Sequence, residues 1–207
     1  MRRLFLLVLF LVVPAASPTQ AAAQADARLA GLKDEAEQMV QDRAQLVQQI
    51  IDHLFSYGEL GMQEFESQRY LTGLLEAEGF EIELGVAGMP SAWTARWANG
   101  TGSPVIAMGS DVDGIPQSNQ KPGVAYRDAI IPMAPGHGEG HNSGQAVNIA
   151  AALAVKEIME REALPGTLVL WPGVAEELLG TKAWYARDGR YRGVDAVLFT
   201  HVSDNLT

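Results

Sequence analysis

Apolar residues divide the chain into a helical first part and a second part in which strands and helices alternate. Across residues 25–57, Leu29, Leu32, Ala36, Met39, Val40, Leu46, Ile50, Ile51 and Leu54 recur mostly at intervals of three and four. That spacing predicts an amphipathic helix with room for one break. A second helical pattern covers residues 63–78, with Phe65, Tyr70, Leu71, Leu74 and Leu75 on one face and Gly79 closing it. Residues 80–84 and 91–97 read as short strands, the latter alternating Trp93, Ala95 and Trp97 against Thr94 and Arg96 before a turn at Asn99-Gly100.

Two short apolar runs, 104–108 and 167–171, are bounded by turn signals in the manner of strands buried on both faces, and 194–200 forms a final strand ending at His201. Between them, residues 143–162 are Ala-rich and apolar at Val147, Ala150, Ala151, Ala154, Val155 and Ile158, a helical period, and 178–187 suggests a further helix. Residues 117–135 show no period and carry Pro122, Pro132 and Pro135, which predicts a long ordered loop. Strands alternating with helices imply an α/β fold with a largely parallel mixed sheet covered on both faces.

Composition narrows the functional classes. The 207 residues are 47% hydrophobic and 19% charged, an ordinary globular balance, and the formal charge of -10 disfavours nucleic acid and anionic membranes as partners. Cysteine is absent, so a disulfide framework is excluded and any metal must be held by His and carboxylates. Residues 1–24 open with Arg2-Arg3, continue with an apolar run from Leu4 to Val13 and end in small residues, the pattern of a secretory signal peptide, with an uncleaved anchor as the alternative. The mature chain, residues 25–207, would then carry 13 basic and 25 acidic residues and reside outside the cytoplasm, in a periplasm on this reading.

The chemically interesting residues gather at the carboxyl ends of the predicted strands: Asp111 and Asp113, Glu176 and Glu177, and His201. Open parallel sheets bind ligands at that edge. The loop Gly136-His137-Gly138-Glu139-Gly140-His141-Asn142 adds three potential ligands at alternating positions, of types suited to zinc or manganese, with glycines that allow tight turns. Each group also has a structural reading. Paired Glu residues suit the first turn of a helix, Asp suits turns, and the Gly-rich loop could be solvated or loosely imitate a dinucleotide loop without its GxGxxG spacing. Their joint placement at one sheet edge favours a site.

Four motifs, SDVDGIP at 110–116, GHGEGHN at 136–142, GVAEE at 173–177 and FTHVSDN at 199–205, resemble the metal-dependent amidohydrolase and peptidase family of aminoacylases, carboxypeptidase G and aminobenzoyl-glutamate hydrolase. Their order and spacing look most like its aminobenzoyl-glutamate hydrolase branch, and Gly58-Glu59-Leu60-Gly61 with Glu64 and Glu66 supports it. The resemblance implies a three-layer α/β/α zinc-exopeptidase-like domain and two divalent ions, zinc or manganese. The implied reaction is cleavage of a C–N amide bond in an N-acyl or N-aroyl amino acid or small peptide by a metal-activated water.

Residue by residue, the resemblance makes Glu176 the general base and Asp113 the acidic residue behind the metals. It makes Glu139, His141, Glu177 and His201 ligands and sets Asp111 and His137 around them. Glu139 stands where many relatives have a cysteine ligand, an exchange of thiolate for carboxylate that favours harder ions such as manganese. It also implies a small-molecule amide or peptide substrate and oligomeric full-length relatives. The family's lid domain and second catalytic half have no counterpart in these residues, so the chain reads as the amino-terminal half of such an enzyme. The alternative is a non-catalytic metal-binding remnant or one half of a split enzyme.

Overall fold

The computed structural model describes residues 18–203. Two units are distinguished, one ending at Glu35 and one beginning at Ala36. In the first, residues 18–35 belong to helix α1 (Pro18–Asp42) and are largely exposed. The helix begins earlier than the apolar period indicates, because the Ala and Gln residues ahead of Asp26 are good helix formers. Of the expected signal segment, residues 1–17 lie outside the described residues and 18–24 are part of α1. No described helix is long and apolar enough to cross a membrane.

Within the second unit, the break comes at Arg43, which leaves the helical path (φ -92°, ψ 9°) and donates to Met39 O and to Glu157. Helix α2 (Ala44–Tyr57) buries Ile50 and Leu54 and ends at Gly58 in the left-handed conformation. Helix α3 (Phe65–Ala77) receives its cap from a distance: the Glu59 carboxylate accepts the N–H groups of Glu66 and Ser67, two of the donors a helix start leaves unpaired. Its buried stripe is Ser67, Leu71 and Leu75. Phe65 precedes Ser67 by two positions, about 200° around the helix, and is exposed rather than on the predicted face.

The sheet has five strands, β1 (Glu81–Leu84), β2 (Trp93–Asn99), β3 (Val105–Asp111), β4 (Gly166–Gly173) and β5 (Ala196–Phe199), in the order β1-β2-β4-β3-β5. Only β2 runs against the others. Helix α4 (His141–Arg161) connects β3 to β4, and the short helices α5 (Glu176–Leu179) and α6 (Lys182–Arg187) connect β4 back past β3 to β5. Because parallel crossovers are right-handed, two crossovers in opposite directions must lie on opposite faces.

Side chains bear this out. Ser110 points at α4, where a Cβ on Gly144 would collide with its hydroxyl, while its neighbour Gly109 is filled by Trp171 from the other face. On that second face Trp171 packs with Tyr185, Tyr191 and Phe199. The strand order thus reverses at β3, and the crevice at the carboxyl ends of β3, β4 and β5 is where such folds place ligands.

Coverage is uneven. β4 is buried along nearly its whole length, whereas all four residues of β5 are exposed, so the predicted cover on both faces stops short of β5 among the described residues. The single helix predicted over 178–187 is two, interrupted at Gly180 in a left-handed turn.

Candidate metal centre

Three local features bring the predicted residues together. Gly140 takes φ 76° and turns the loop directly into α4, so His141 is the first residue of the helix, two positions before the predicted start, and is buried. β3 runs out into Asp111 and Asp113, both buried. β4 ends at Gly173, where any side chain would strike the Asp111 carboxylate, and after Ala175 in a left-handed conformation come Glu176 and Glu177.

Two groups of donor atoms result, Glu139–His141–Glu177 and Asp111–His141–His201, each with all its atoms within 4.8 Å of one another. The imidazoles are oriented for coordination. His141 Nδ1 lies 3.0 Å from Asp113 O and His201 Nδ1 2.6 Å from Val202 O. Carbonyl oxygens only accept, so both Nδ1 atoms carry protons and both Nε2 lone pairs are left for other partners. Those two Nε2 atoms face each other at 3.1 Å. Two neutral imidazoles cannot satisfy each other that way; a cation between or beside them can, and the residues present therefore fit a divalent ion. His141 Nε2 belongs to both groups, so one ion uses it and any further ion rests on the ligands that remain.

The electrostatics agree. Burial, then the nearby Glu139 carboxylate, pushes Glu177 above the usual carboxylate range. Burial alone would lower His141, but Asp113, with its Oδ1 at 3.4 Å and its carbonyl accepting the Nδ1 proton, outweighs that and raises it. Asp113 Oδ1 has no hydrogen-bond partner although buried, while its Oδ2 accepts the Glu177 N–H at 3.0 Å. Uncompensated acceptors crowded around one point are what a metal ion relieves.

Glu176 lies outside both donor groups, half-buried, with Oε1 3.7 Å from Lys182 Nζ. Lys182 also donates to both oxygens of Asp111 at 2.7 and 2.8 Å, and burial nonetheless holds Asp111 above its ordinary value. His137 turns away from the donor groups: its Nε2 donates to Leu54 O at 2.9 Å, and burial lowers it to about 4. It lines, with Glu139, His201 and Ser203, an open cavity of about 730 Å³. A narrower cavity of about 140 Å³ is bounded by Leu60, Asp113, Pro116, Glu177 and Leu178.

The structure thus gathers Glu139, His141, Glu177, His201 and Asp111, sets Asp113 behind His141, leaves Glu176 beside the group and points His137 elsewhere. Sequence reasoning missed Lys182, whose position on a short helix offers no pattern, and gave no role to Glu64, which is fully buried. An acidic residue just ahead of an apolar helical stripe was the available signal for Glu64.

No protein-family profile matches the chain. It is 34% identical over 152 residues to a subunit of the p-aminobenzoyl-glutamate hydrolase of Escherichia coli (strain K12), covering 73% of this chain and 31% of that one. It is 29% identical over 149 residues to N-acetyl-L-cysteine deacetylase of Bacillus subtilis (strain 168), covering 72% and 34%. The chain spans about a third of the length of these curated relatives. Among solved structures, the Bacillus subtilis YXEP protein, a dinuclear metal binding peptidase from the M20 family, shares the fold with a TM-score of 0.61 at 23% identity, over 77% of this chain and 44% of that one. The chain is thus similar in sequence to an aminobenzoyl-glutamate hydrolase subunit and an N-acetyl-L-cysteine deacetylase, shares its fold with a dinuclear metal binding peptidase of the M20 family, and carries a donor set of matching chemistry.

Proposed function

We propose that this chain carries the metal centre of a secreted amidohydrolase that cleaves the C–N bond of an N-acyl or N-aroyl amino acid, of the aminobenzoyl-glutamate kind, or of a small peptide. The observation that carries the reading is the pair of facing Nε2 lone pairs on His141 and His201, flanked by the carboxylates of Glu139 and Glu177. Glu139, His141 and Glu177 would hold one divalent ion, zinc or, given the oxygen-rich set, manganese, with His201 and Asp111 available to a second. When bound, such ions polarise an amide carbonyl and acidify water.

The chain's own groups do the rest. Glu176, adjacent in sequence to Glu177 but outside both donor groups, would take a proton from the attacking water and return it to the leaving amine. Lys182 holds Asp111 and sits close to Glu176, keeping two acidic groups ordered beside the reaction zone. Asp113 fixes the His141 ring and the Glu177 backbone. The substrate class rests on the relatives, whose names specify aminobenzoyl-glutamate and N-acetyl-L-cysteine, both amides of amino acids. That the first relative is named as a subunit favours a multi-chain assembly. Secretion rests on Arg2-Arg3 and the apolar run after them.

The test is hydrolysis of p-aminobenzoyl-glutamate and a panel of N-acyl amino acids with added manganese or zinc. Glu176→Gln is expected to lower turnover by at least about 100-fold while metal content is unchanged. Retained turnover in that variant would remove Glu176 from the mechanism. Metal without turnover in the unmodified chain would favour the non-catalytic reading.

A further inference from the structure

The two adjacent glutamates that open α5 face different ways, and the backbone just ahead of them is strained. Ala175 adopts φ 50° and ψ 38°, a conformation that residues with a Cβ resist. Such strain persists only where surrounding contacts impose it. Here they are identifiable. The Ala175 N–H donates to Glu64 Oε1 at 2.7 Å, and the other Glu64 oxygen accepts the Ser91 hydroxyl. The Thr181 hydroxyl donates to Val174 O. Gly61 lies against the turn so closely that a Cβ there would sit 2.7 Å from Ala175 Cα. Two residues further on, Asp113 takes the Glu177 N–H.

We propose that Glu64 is a positioning residue of the metal centre: its buried carboxylate clamps the Ala175 N–H, holds the left-handed turn, and so directs Glu177 towards Glu139 and His141 while leaving Glu176 outside the ligand group. The inference rests on the reading of Glu177 as a ligand. Glu64 has no exposure to solvent and is 111 residues from Ala175 in sequence. A fully buried carboxylate is costly, and burial does push Glu64 above the usual carboxylate range. An apolar side chain would fill the same space without that penalty, but it could not accept the Ala175 proton.

The experiment is calorimetric titration of the whole chain with manganese, and cobalt titration read by visible absorption, on wild type, Glu64→Gln, Glu64→Ala, Gly61→Ala and Glu177→Ala. Each is measured well below its own melting temperature. Gln retains an oxygen that accepts the Ala175 N–H and an amide that bonds the Ser91 hydroxyl, so Glu64→Gln should bind like wild type. Glu64→Ala should bind at least about tenfold more weakly and alter the cobalt spectrum although folded, the range seen when a group supporting a metal ligand is removed. Adding Ala175→Gly to Glu64→Ala should recover part of the loss, since glycine makes the turn unaided.

A folded Glu64→Ala with wild-type affinity and spectrum overturns the proposal. If that variant does not fold, Gly61→Ala disturbs the same turn from its other side and must weaken metal binding likewise; unchanged binding there overturns it equally. A wild type that binds no metal, or a Glu177→Ala that binds as well as wild type, removes the ligand reading and the inference with it. Loss in Glu177→Ala without loss in Glu64→Ala removes the inference alone.

Discussion

β4 and β5 are near twins in sequence and opposites in the folded chain. Leu168-Val169-Leu170-Trp171 and Ala196-Val197-Leu198-Phe199 are both short apolar runs that lead into candidate site residues, yet Leu170 has no exposure and Leu198 keeps 54% of its surface. The reason is position in the sheet. β4 pairs with β2 and β3 and lies between α4 and the Tyr185–Tyr191 cluster, whereas β5 pairs with β3 alone among the described residues. An apolar run specifies a strand; only the strand order decides how much of it is covered.

The metal centre straddles this divide. Glu177 and His141 are tied to buried groups, Glu177 through its N–H to Asp113 and His141 through its ring to the Asp113 carbonyl. His201 is exposed and depends on the end of β5, where the ties are the Thr200 N–H to Gly109 O, the Thr200 hydroxyl to Asn148 and the Ser110 hydroxyl to Thr200 O. The side towards β4 should therefore be the stiffer half of the site and the side on β5 the one that opens first.

The sharpest way to break this comparison is to remove one ligand from each side. Glu177→Ala and His141→Ala should weaken manganese binding by more than about 100-fold, because they dismantle the set tied to buried groups. His201→Ala should cost about tenfold, because Glu139, His141 and Glu177 survive it. Equal losses, read by calorimetric titration, would show that the exposed side matters as much.

Stability draws the same line. Leu170→Ala should cost about 3 kcal/mol in urea unfolding and Leu198→Ala less than about 0.5 kcal/mol. A smaller effect is expected at Lys182. Replacing it by Met leaves Asp111 buried without its cation, a loss of about 2 kcal/mol once the partial exposure of the lysine is allowed for.

The smallest effect concerns pH. His137 is lowered from 6.5 to about 4, so the unfolded chain binds its proton more readily than the folded one between those values. Its contribution to stability is complete above pH 6.5 and is lost as pH falls towards 4, about 1 kcal/mol by pH 5.5. His137→Gln, which keeps a donor for Leu54 O, should show a correspondingly flatter acid side of the urea-midpoint profile.

Much of this was legible in the sequence because it depends on local pattern. The period of three and four in α2 and α4, the turn at Asn99-Gly100 and the apolar runs of β3 and β4 all follow from rules that act over a few residues. The gathering of Asp111, Glu139, His141, Glu177 and His201 was legible because parallel strands share one carboxyl edge. What was not legible depends on contacts distant in sequence. The cap of α3 comes from Glu59, the turn at Ala175 is held by Glu64, and Lys182 reaches Asp111 across 71 residues. Nor does an apolar run by itself reveal whether its strand is central or at an edge of the sheet.

The most direct measurement is the metal content and manganese or zinc titration of the purified chain beside its Glu177→Ala variant. The account predicts stoichiometric divalent binding in the first and its loss in the second. A chain that binds no divalent ion, or binds it equally well without the Glu177 carboxylate, would contradict it.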